Sequence, residues 1–377
     1  MDDSILMEKA RPATGVGIVL LCCLIATTAK ADPFASYPGV RAQGMAGTMT
    51  ALEDIASVWY NPAAIAFSIQ GGTVEWKQAA SMDELDDSLG SKGTLFGGYQ
   101  QSLGKWTAGL FYFQPYTMSY GAQSISDSGK VSGKVNATYQ SLSMPVAVSA
   151  MKGKIKMGAS LDWVTLDTSG STITVTENSS NPKNPGTPVA IEVAEPGGFA
   201  VSLGALVEVL DHQPWNTKVR IGGVYRSQSM DDPSNAESSG LVSKLIFGKP
   251  SSLSLGVSAD KSLADGQALI GALQLDYTRW SSDLAYQKVA LGMEFVDPLK
   301  GTFDLTMAYR LGWYQSSPSE GDAGLNWPDV TGFTGGVGVQ SREDYQLNMS
   351  IEQRSTEEAT RNDDSNLYLG FSLTFFI

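Results

Sequence analysis

A period-two alternation of apolar and polar residues recurs from about residue 73 onward and constrains the fold more than any other feature. The segment 345–354 shows it, with polar residues between the apolar Tyr345, Leu347, Met349 and Ile351. Similar segments lie at residues 155–163, 269–280, 303–313 and 367–377. Because successive side chains of a strand point to opposite faces, the pattern predicts strands with one apolar and one polar face.

The length of these segments separates two interpretations. Each runs about ten residues, which is what a tilted strand needs to cross a bilayer. A soluble periplasmic β protein would show the same alternation, with the apolar face buried and the polar face in water. The strand length, the repetition and a strand that continues to residue 377 favour a membrane barrel. No stretch after the N-terminal apolar run at residues 16–25 reaches the roughly 18 apolar residues of a membrane helix.

The connections between the segments alternate between short and long, as the periplasmic turns and outer loops of outer-membrane barrels do. We expect short turns near residues 102–104, 151–154, 211–216, 261–265, 297–301 and 342–344. We expect long loops near residues 81–92, 121–134, 168–197, 228–240, 315–330 and 356–365, and one short outer loop near 281–285. The sequence therefore predicts an all-β fold, a transmembrane antiparallel β-barrel of about fourteen strands.

One predicted strand, from residue 241 to residue 260, contains Pro250. Proline cannot donate a hydrogen bond to a β-ladder, so it marks a bulge, an edge or a break. We expect a long strand that is kinked at Pro250. Two short strands are the alternative, and they would spoil the even strand count.

Residues 1–31 have the pattern of a secretory signal peptide. Lys9 and Arg11 precede an apolar run over residues 16–25, and Ala29 and Ala31 form a small-residue cleavage site. Met7 is an alternative start that would remove two unusual aspartates. Both cysteines, Cys22 and Cys23, lie in this run, so the mature chain is expected to have no thiol chemistry.

Composition and motifs argue against several classes of function. The net charge of -13 disfavours a nucleic-acid partner, which requires a basic face. The only histidine, His212, lies in a predicted turn, and the chain has neither a nucleophile elbow nor a phosphate-binding loop. We therefore expect no enzyme activity, no cofactor and no metal site, and we attribute the acidic outer loops to solubility.

Residues 32–70 lack clean alternation and precede the barrel, which is expected to span residues 71–377. They contain the sequence GMAGT at residues 44–48 and ASVWYNPAAIA at residues 56–66. A barrel of about fourteen strands encloses more space than its wall side chains fill. We expect this segment to fold inside the lumen as a hatch, with the residues Gly44, Gly47, Asn61, Pro62 and Ala63 at its contacts. Whether the segment also touches a ligand or only plugs the barrel stays open.

These motifs resemble the N-terminal part of FadL-like outer-membrane proteins, the long-chain fatty-acid transporter superfamily. The triplet Asn61-Pro62-Ala63 is the most specific mark, and the sequences LDYTRWS at 275–281 and FTGGVG at 333–338 are similar to later strands of the family. The resemblance covers essentially the whole mature chain and leaves the subfamily open. It implies a fourteen-stranded barrel with an internal hatch, and passage of hydrophobic molecules, often sideways through a gap in the wall.

The expected function is passive uptake of hydrophobic small molecules, such as long-chain fatty acids, across the outer membrane of a Gram-negative cell. An interaction barrel that serves protein secretion or surface assembly is the alternative, since the superfamily includes such members. The expected partners are the lipid bilayer, a hydrophobic ligand and the barrel-assembly machinery.

Three lumen residues are candidate ligand contacts. Phe111 and Phe113 point inward on parity alone, and an apolar ligand needs an apolar pocket. Arg310 is expected either to meet a ligand carboxylate or to form an internal ion pair with Asp304 or with an acid on a neighbouring strand, because an unpaired charge in the lumen is costly.

Overall fold

The computed structural model describes the chain in thirteen stretches. They are residues 39–67, 70–80, 94–126, 129–167, 172–177, 189–191, 197–230, 251–281, 284–299, 305–321, 329–341, 344–358 and 361–376. The predicted signal peptide and Pro250 lie outside these residues.

Within these stretches, sixteen antiparallel strands form one sheet. They are β1 (Gly71–Ala80), β2 (Thr94–Leu103), β3 (Trp106–Ser126), β4 (Gly129–Ala150), β5 (Ile155–Asp167), β6 (Thr172–Glu177), β7 (Val189–Ile191), β8 (Gly197–His212), β9 (Thr217–Met230), β10 (Ser251–Ser262), β11 (Ala268–Ser281), β12 (Leu284–Leu299), β13 (Leu305–Gly321), β14 (Asp329–Ser341), β15 (Tyr345–Glu358) and β16 (Arg361–Phe376).

Fourteen of these strands close into a barrel. The sheet order runs from β3 through β2, β1 and β16 down to β8, β5 and β4, and β4 pairs again with β3. The two short strands β6 and β7 form a hairpin that pairs with the first residues of β4, Gly129 to Lys134. The predicted all-β fold and strand number are therefore confirmed.

Helical structure within the described residues is short. The helix α1 spans Val40–Gly44, and single 3-10 turns span Ala56–Trp59 and Pro62–Ile65. None of the described helices is long and apolar enough to span a membrane.

The barrel wall turns its apolar face outward. On β12, Val289, Leu291 and Met293 are 40–54% exposed, while Ala290 and Gly292 between them are buried. The other long strands repeat this arrangement, so an exposed apolar surface surrounds the barrel. A soluble β protein would bury that face, and an apolar surface of this extent fits lipid instead.

The connections between the strands match the predicted turns and loops only in part. The predicted short turns join β2 to β3, β4 to β5, β8 to β9, β10 to β11 and β14 to β15. Two predicted long loops were wrong, because residues 121–134 continue β3 and β4 in register and residues 356–365 lie largely in β15 and β16. Residues 121–134 are rich in serine and glycine, and residues 356–365 are rich in charged residues. The strand structure of both hairpins comes from the backbone ladder rather than from an apolar face.

Replacing Leu291 by arginine should destabilise the barrel in lipid vesicles by about 2–4 kcal/mol, because the charge would enter the hydrocarbon region. Met151→Arg, at an exposed turn, is the matched control and should cost about 1 kcal/mol or less. Urea unfolding of both variants in vesicles measures the difference. Equal stability of the two variants would contradict a membrane-embedded wall.

Candidate functional site

The barrel interior is occupied by residues 39–67, which we call the lumen segment. Almost every residue of this segment is buried, and many have no accessible surface at all. The helix α1 packs against β1 and β13–β16, and the turn at Pro62–Ile65 packs against β4, β5 and β8. The segment therefore contacts the inward face of the wall on opposite sides of the barrel.

The triplet Asn61-Pro62-Ala63 is a capped turn that is fixed to the wall. The Asn61 side chain accepts a hydrogen bond from the Ala63 N–H at 3.0 Å, and proline follows at the first helical position. The Asn61 amide donates to the carbonyl oxygens of Thr50 at 2.8 Å and Ala205 at 2.9 Å. One asparagine thus joins two parts of the lumen segment and strand β8.

Glycines allow the lumen segment to approach the wall closely. A Cβ at Gly44 would lie 3.3 Å from Arg310 and 3.4 Å from Gly336, so Gly44 lies in close contact with the wall. Gly47 has a φ of 80°, a left-handed conformation that favours glycine.

The wall carries its own glycines at the same level, which the sequence analysis missed. Eight strands each place one inward glycine against the lumen segment, and we call this set the glycine belt: Gly158, Gly204, Gly222, Gly256, Gly292, Gly312, Gly336 and Gly370. A Cβ at Gly158, for example, would lie 2.5 Å from the backbone of Pro62 and Ala63. The signal was present in the sequence, since these glycines occupy polar-face positions of the alternating strands.

Buried ion pairs join the lumen segment to the wall. The Arg41 guanidinium bonds both Glu294 oxygens at 2.8–2.9 Å and the Asp54 carboxylate at 2.8 Å. Burial alone would lower the pKa of Arg41, but these two carboxylates hold it above its ordinary value, so Arg41 stays charged.

Arg310 belongs to the same group of charges. Its Nε bonds Glu294 on the adjacent strand, and its Nη1 donates to Asn348 Oδ1 at 2.8 Å. Asp304, one of its expected partners, lies outside the described residues. Of the two interpretations that the sequence left open, the geometry favours the internal ion pair with an acid on a neighbouring strand.

A second group of polar residues surrounds Glu352, which is fully buried. Its carboxylate accepts hydrogen bonds from Arg354 and Tyr314 at 2.8 Å and from Lys77 at 3.3 Å. It also accepts a bond from the Gln43 amide of the lumen segment at 3.2 Å. The charge of Glu352 is therefore satisfied jointly by wall and segment.

An aromatic cluster lines one side of the interior. Phe96, Phe111 and Phe113 stack with centroid distances of 4.8–6.1 Å, and all three are almost fully buried. Trp59 of the lumen segment lies 4.9 Å from Phe113 and 6.5 Å from Tyr139. Phe111 and Phe113 thus point inward, and they share one apolar cluster with residues of the lumen segment.

Trp59 is held in place by Arg226 of strand β9. The Arg226 guanidinium lies 4.1 Å from the centre of the indole ring and donates a hydrogen bond to the Trp59 carbonyl oxygen at 2.6 Å. A cation over an aromatic face is attracted by the ring quadrupole, so the indole has a fixed orientation. The half-buried Trp59 packs against both main apolar clusters of the interior.

The wall itself is irregular beside the aromatic cluster, along the boundary of β3 and β4 that we call the seam. The register passes from Ala108 opposite Val146 directly to Phe111 opposite Ser143, which leaves Gly109 and Leu110 without a ladder partner on β4.

In this register Gly109 lies opposite Pro145 and Leu110 opposite Met144. Pro145 has no N–H to donate to the ladder. A few residues further along β3, Gln114 and Pro115 together face only one residue of β4, which is a β-bulge. The other register shifts among the described strand pairs lie near strand ends.

A cavity of about 320 Å³ lies on the side of the lumen segment that faces the short turns. Five charged residues line it, together with polar and apolar neighbours: Arg41, Glu53, Asp54, Glu294 and Arg310. Glu53 is paired with Lys156 at 2.8 Å across the lumen. This side of the interior is therefore strongly polar, in contrast to the aromatic side. In the described part of the chain, no three His, Cys, Asp or Glu side chains are grouped closely enough to hold a metal ion.

Comparison with solved structures relates this barrel to known channels. The toluene transporter TbuX of Ralstonia pickettii matches with a TM-score of 0.56 and 11% identity over 91% of this chain and 99% of that chain. The monoaromatic hydrocarbon channel CymD matches with a TM-score of 0.55 and 12% identity over 92% and 99%. A FadL homologue of Pseudomonas aeruginosa matches with a TM-score of 0.54 and 12% identity over 93% and 99%. No protein-family model and no curated protein sequence matches the chain. At these identities the likeness concerns the fold.

Replacing Gly222 by alanine should destabilise the protein by about 1–3 kcal/mol through overpacking. The added Cβ would lie 3.0 Å from Ala51 Cα and closer still to the Thr50 carbonyl group. Gly223→Ala is the control on the same strand, because its Cβ would meet nothing closer than Leu255 at 3.4 Å. Gly222→Ala alone should lower the stability measured by urea unfolding and change the swelling rate of proteoliposomes in a small sugar. Equal effects of Gly222→Ala and Gly223→Ala would contradict close packing at the glycine belt.

Proposed function

We propose that this chain, which has the fold of the FadL-type barrels, is a passive channel that carries small hydrophobic molecules across the outer membrane. The observation that carries the proposal is the interrupted seam directly beside the buried aromatic cluster of Phe96, Phe111 and Phe113. An apolar molecule that reaches the cluster from the long-loop side leaves sideways through the seam into the bilayer.

The seam suits such a passage for a physical reason. In lipid, backbone N–H and C=O groups must be satisfied within the protein, so irregular backbone at membrane depth occurs where it serves a cavity or path. At Gly109, Leu110 and Pro145 the ladder is already open, so separating β3 from β4 breaks fewer hydrogen bonds there than elsewhere in the wall.

The axial route is unfavourable for the same molecule. Below the lumen segment it would enter the cavity lined by Arg41, Asp54 and Glu294, where an apolar solute displaces hydration of charged groups. The lumen segment acts as a hatch that closes this route, with Gly44, Gly47 and Asn61-Pro62-Ala63 as its points of support.

The described interior favours uncharged substrates over long-chain fatty acids. Arg310, the residue expected to meet a carboxylate, is bonded to Glu294 and Asn348 instead. The aromatic side chains at the seam suit hydrocarbons, in keeping with TbuX, a toluene transporter, and CymD, a monoaromatic hydrocarbon channel. Export by a signal peptide and insertion by the barrel-assembly machinery are parts of the same proposal.

A disulfide across the seam should block transport. Tyr112 and Leu142 face each other on β3 and β4, and Leu255 and Leu275 face each other on the regular pair β10 and β11. In intact Gram-negative cells, oxidised Tyr112→Cys/Leu142→Cys should lower the initial uptake rate of radiolabelled toluene to that of cells without the protein. Reduction should restore uptake, because the strands can then separate.

The control pair Leu255→Cys/Leu275→Cys should transport equally in both redox states. Uptake that persists through the oxidised seam would refute the lateral path. No uptake by the unmodified protein would refute the channel itself and leave an interaction barrel for secretion or surface assembly.

A further inference from the structure

The seam ends at two neighbouring short turns that carry three lysines. Lys105 lies between β2 and β3, and Lys152 and Lys154 lie between β4 and β5, all three exposed. The turns are joined directly, because the Ser149 N–H donates to the Lys105 carbonyl oxygen at 2.9 Å. We call Lys105, Lys152 and Lys154 with their turns the basic foot.

The charges of the basic foot are not compensated within the described part of the protein. None of its three ammonium groups forms an ion pair there, whereas the inward lysines Lys77 and Lys156 each meet a carboxylate. Glu208 of strand β8 contacts the foot through its backbone N–H, which donates to the Lys154 carbonyl oxygen at 2.8 Å.

The rest of the described short-turn rim carries four acids, Asp211, Asp265, Asp297 and Asp344, and two lysines, Lys218 and Lys261. These six residues have a net charge of -2, so the positive charge of the rim is concentrated at the seam. A local excess of positive charge attracts an anion within about a Debye length, roughly 10 Å at 0.1 M salt.

Apolar side chains lie beside the lysines. Leu103 is 58% exposed, Trp106 47% and Met151 71%, and the outward face of the seam continues with Met144 and Val146. Ammonium groups at the membrane edge with apolar surface next to them match a phospholipid, whose headgroup is polar and whose chains are apolar. Lys and Trp are typical anchors at this level of a membrane.

The turn between β4 and β5 has an unusual backbone. Met151 and Lys152 adopt left-handed φ values of 49° and 57°, followed by Gly153 at 89°. Such a turn favours asparagine or glycine at its centre, and long side chains there are strained. The strained turn presents Met151 and Lys152 to the outside.

We propose that the basic foot binds the headgroup of an anionic phospholipid, with its acyl chains along the outer face of the seam. The proposal goes beyond transport, because it assigns a bound lipid to the wall at the point where the wall is weakest. Each lysine near a membrane surface strengthens binding of an anionic lipid by roughly fivefold.

Native mass spectrometry of the purified protein, titrated with phosphatidylglycerol or with phosphatidylcholine of the same chains, tests this binding. The unmodified protein should bind phosphatidylglycerol more tightly. In the variant Lys152→Ala/Lys154→Ala, the affinity for phosphatidylglycerol relative to phosphatidylcholine should fall by roughly 25-fold. Lys218→Ala/Lys261→Ala, at the next two turns of the rim, is the matched control and should keep it. Heat-modifiable gel mobility checks that each variant is folded.

Equal binding of both lipids by the unmodified protein, or an equal loss in the control, would overturn the proposal. Excess glycerol phosphate should not displace the lipid, since it has no chains to pack on Trp106 and Met151. Complete displacement by it would show a simple phosphate site and would also overturn the proposal. None of these results depends on transport, so a failure of this proposal would not bear on the proposed channel function, which the uptake experiment tests separately.

Discussion

Arg41 is bonded at the same time to Glu294 of the wall and to Asp54 of the lumen segment, and the rest of the interior depends on this connection. Taking the segment away would leave Glu294 with only Arg310, and Glu75 without the Val40 N–H that bonds it at 2.6 Å. Leaving one buried charge without its partner costs about 3–5 kcal/mol. The wall and the lumen segment therefore form one folding unit, in which the polar inner face of the barrel obtains its partners from the segment.

This dependence determines where the barrel can open. Complete removal of the segment would break the bonds of Arg41, Gln43 and Asn61 together, besides exposing the glycine belt. The seam offers a smaller change, because two interruptions of the β3–β4 ladder lie beside the aromatic cluster. In the proposed function, a fixed polar plug on one side and an irregular wall with aromatic lining on the other direct an apolar molecule sideways.

The alternating pattern predicted the fold well because each strand has to place one face in lipid, and this requirement is local in sequence. The inward orientation of Phe111 and Phe113 followed from the same parity. The partner of Arg310 could not be deduced in this way, because Glu294 lies on the neighbouring strand β12 and becomes adjacent to Arg310 only through the strand register.

The glycine belt was missed because a glycine such as Gly256, between Leu255 and Val257, shows its position on the polar face but not its contact with the segment behind it. The long β3–β4 hairpin was missed because its outer residues have no apolar face. The Asn61-Pro62-Ala63 motif was identified from resemblance, but its bonds to Thr50 and Ala205 needed the structure.

A reversible tether between the lumen segment and the wall tests the central claim most directly. A Cβ at Gly256 would lie 3.4 Å from the Ala51 Cβ, close to the spacing in a disulfide, so Ala51→Cys/Gly256→Cys can be oxidised to a tether. The new Cβ also lies 3.1 Å from the Thr50 Cβ, and the reduced form of the same variant is therefore the reference. The two native cysteines lie in the predicted signal peptide, which leaves the new pair alone in the mature chain. With the segment tethered to β10, the initial uptake rate of toluene should equal that of the reduced protein. A rate that falls on oxidation and returns on reduction would show that the segment has to move away from β10, and would contradict lateral exit past a fixed segment.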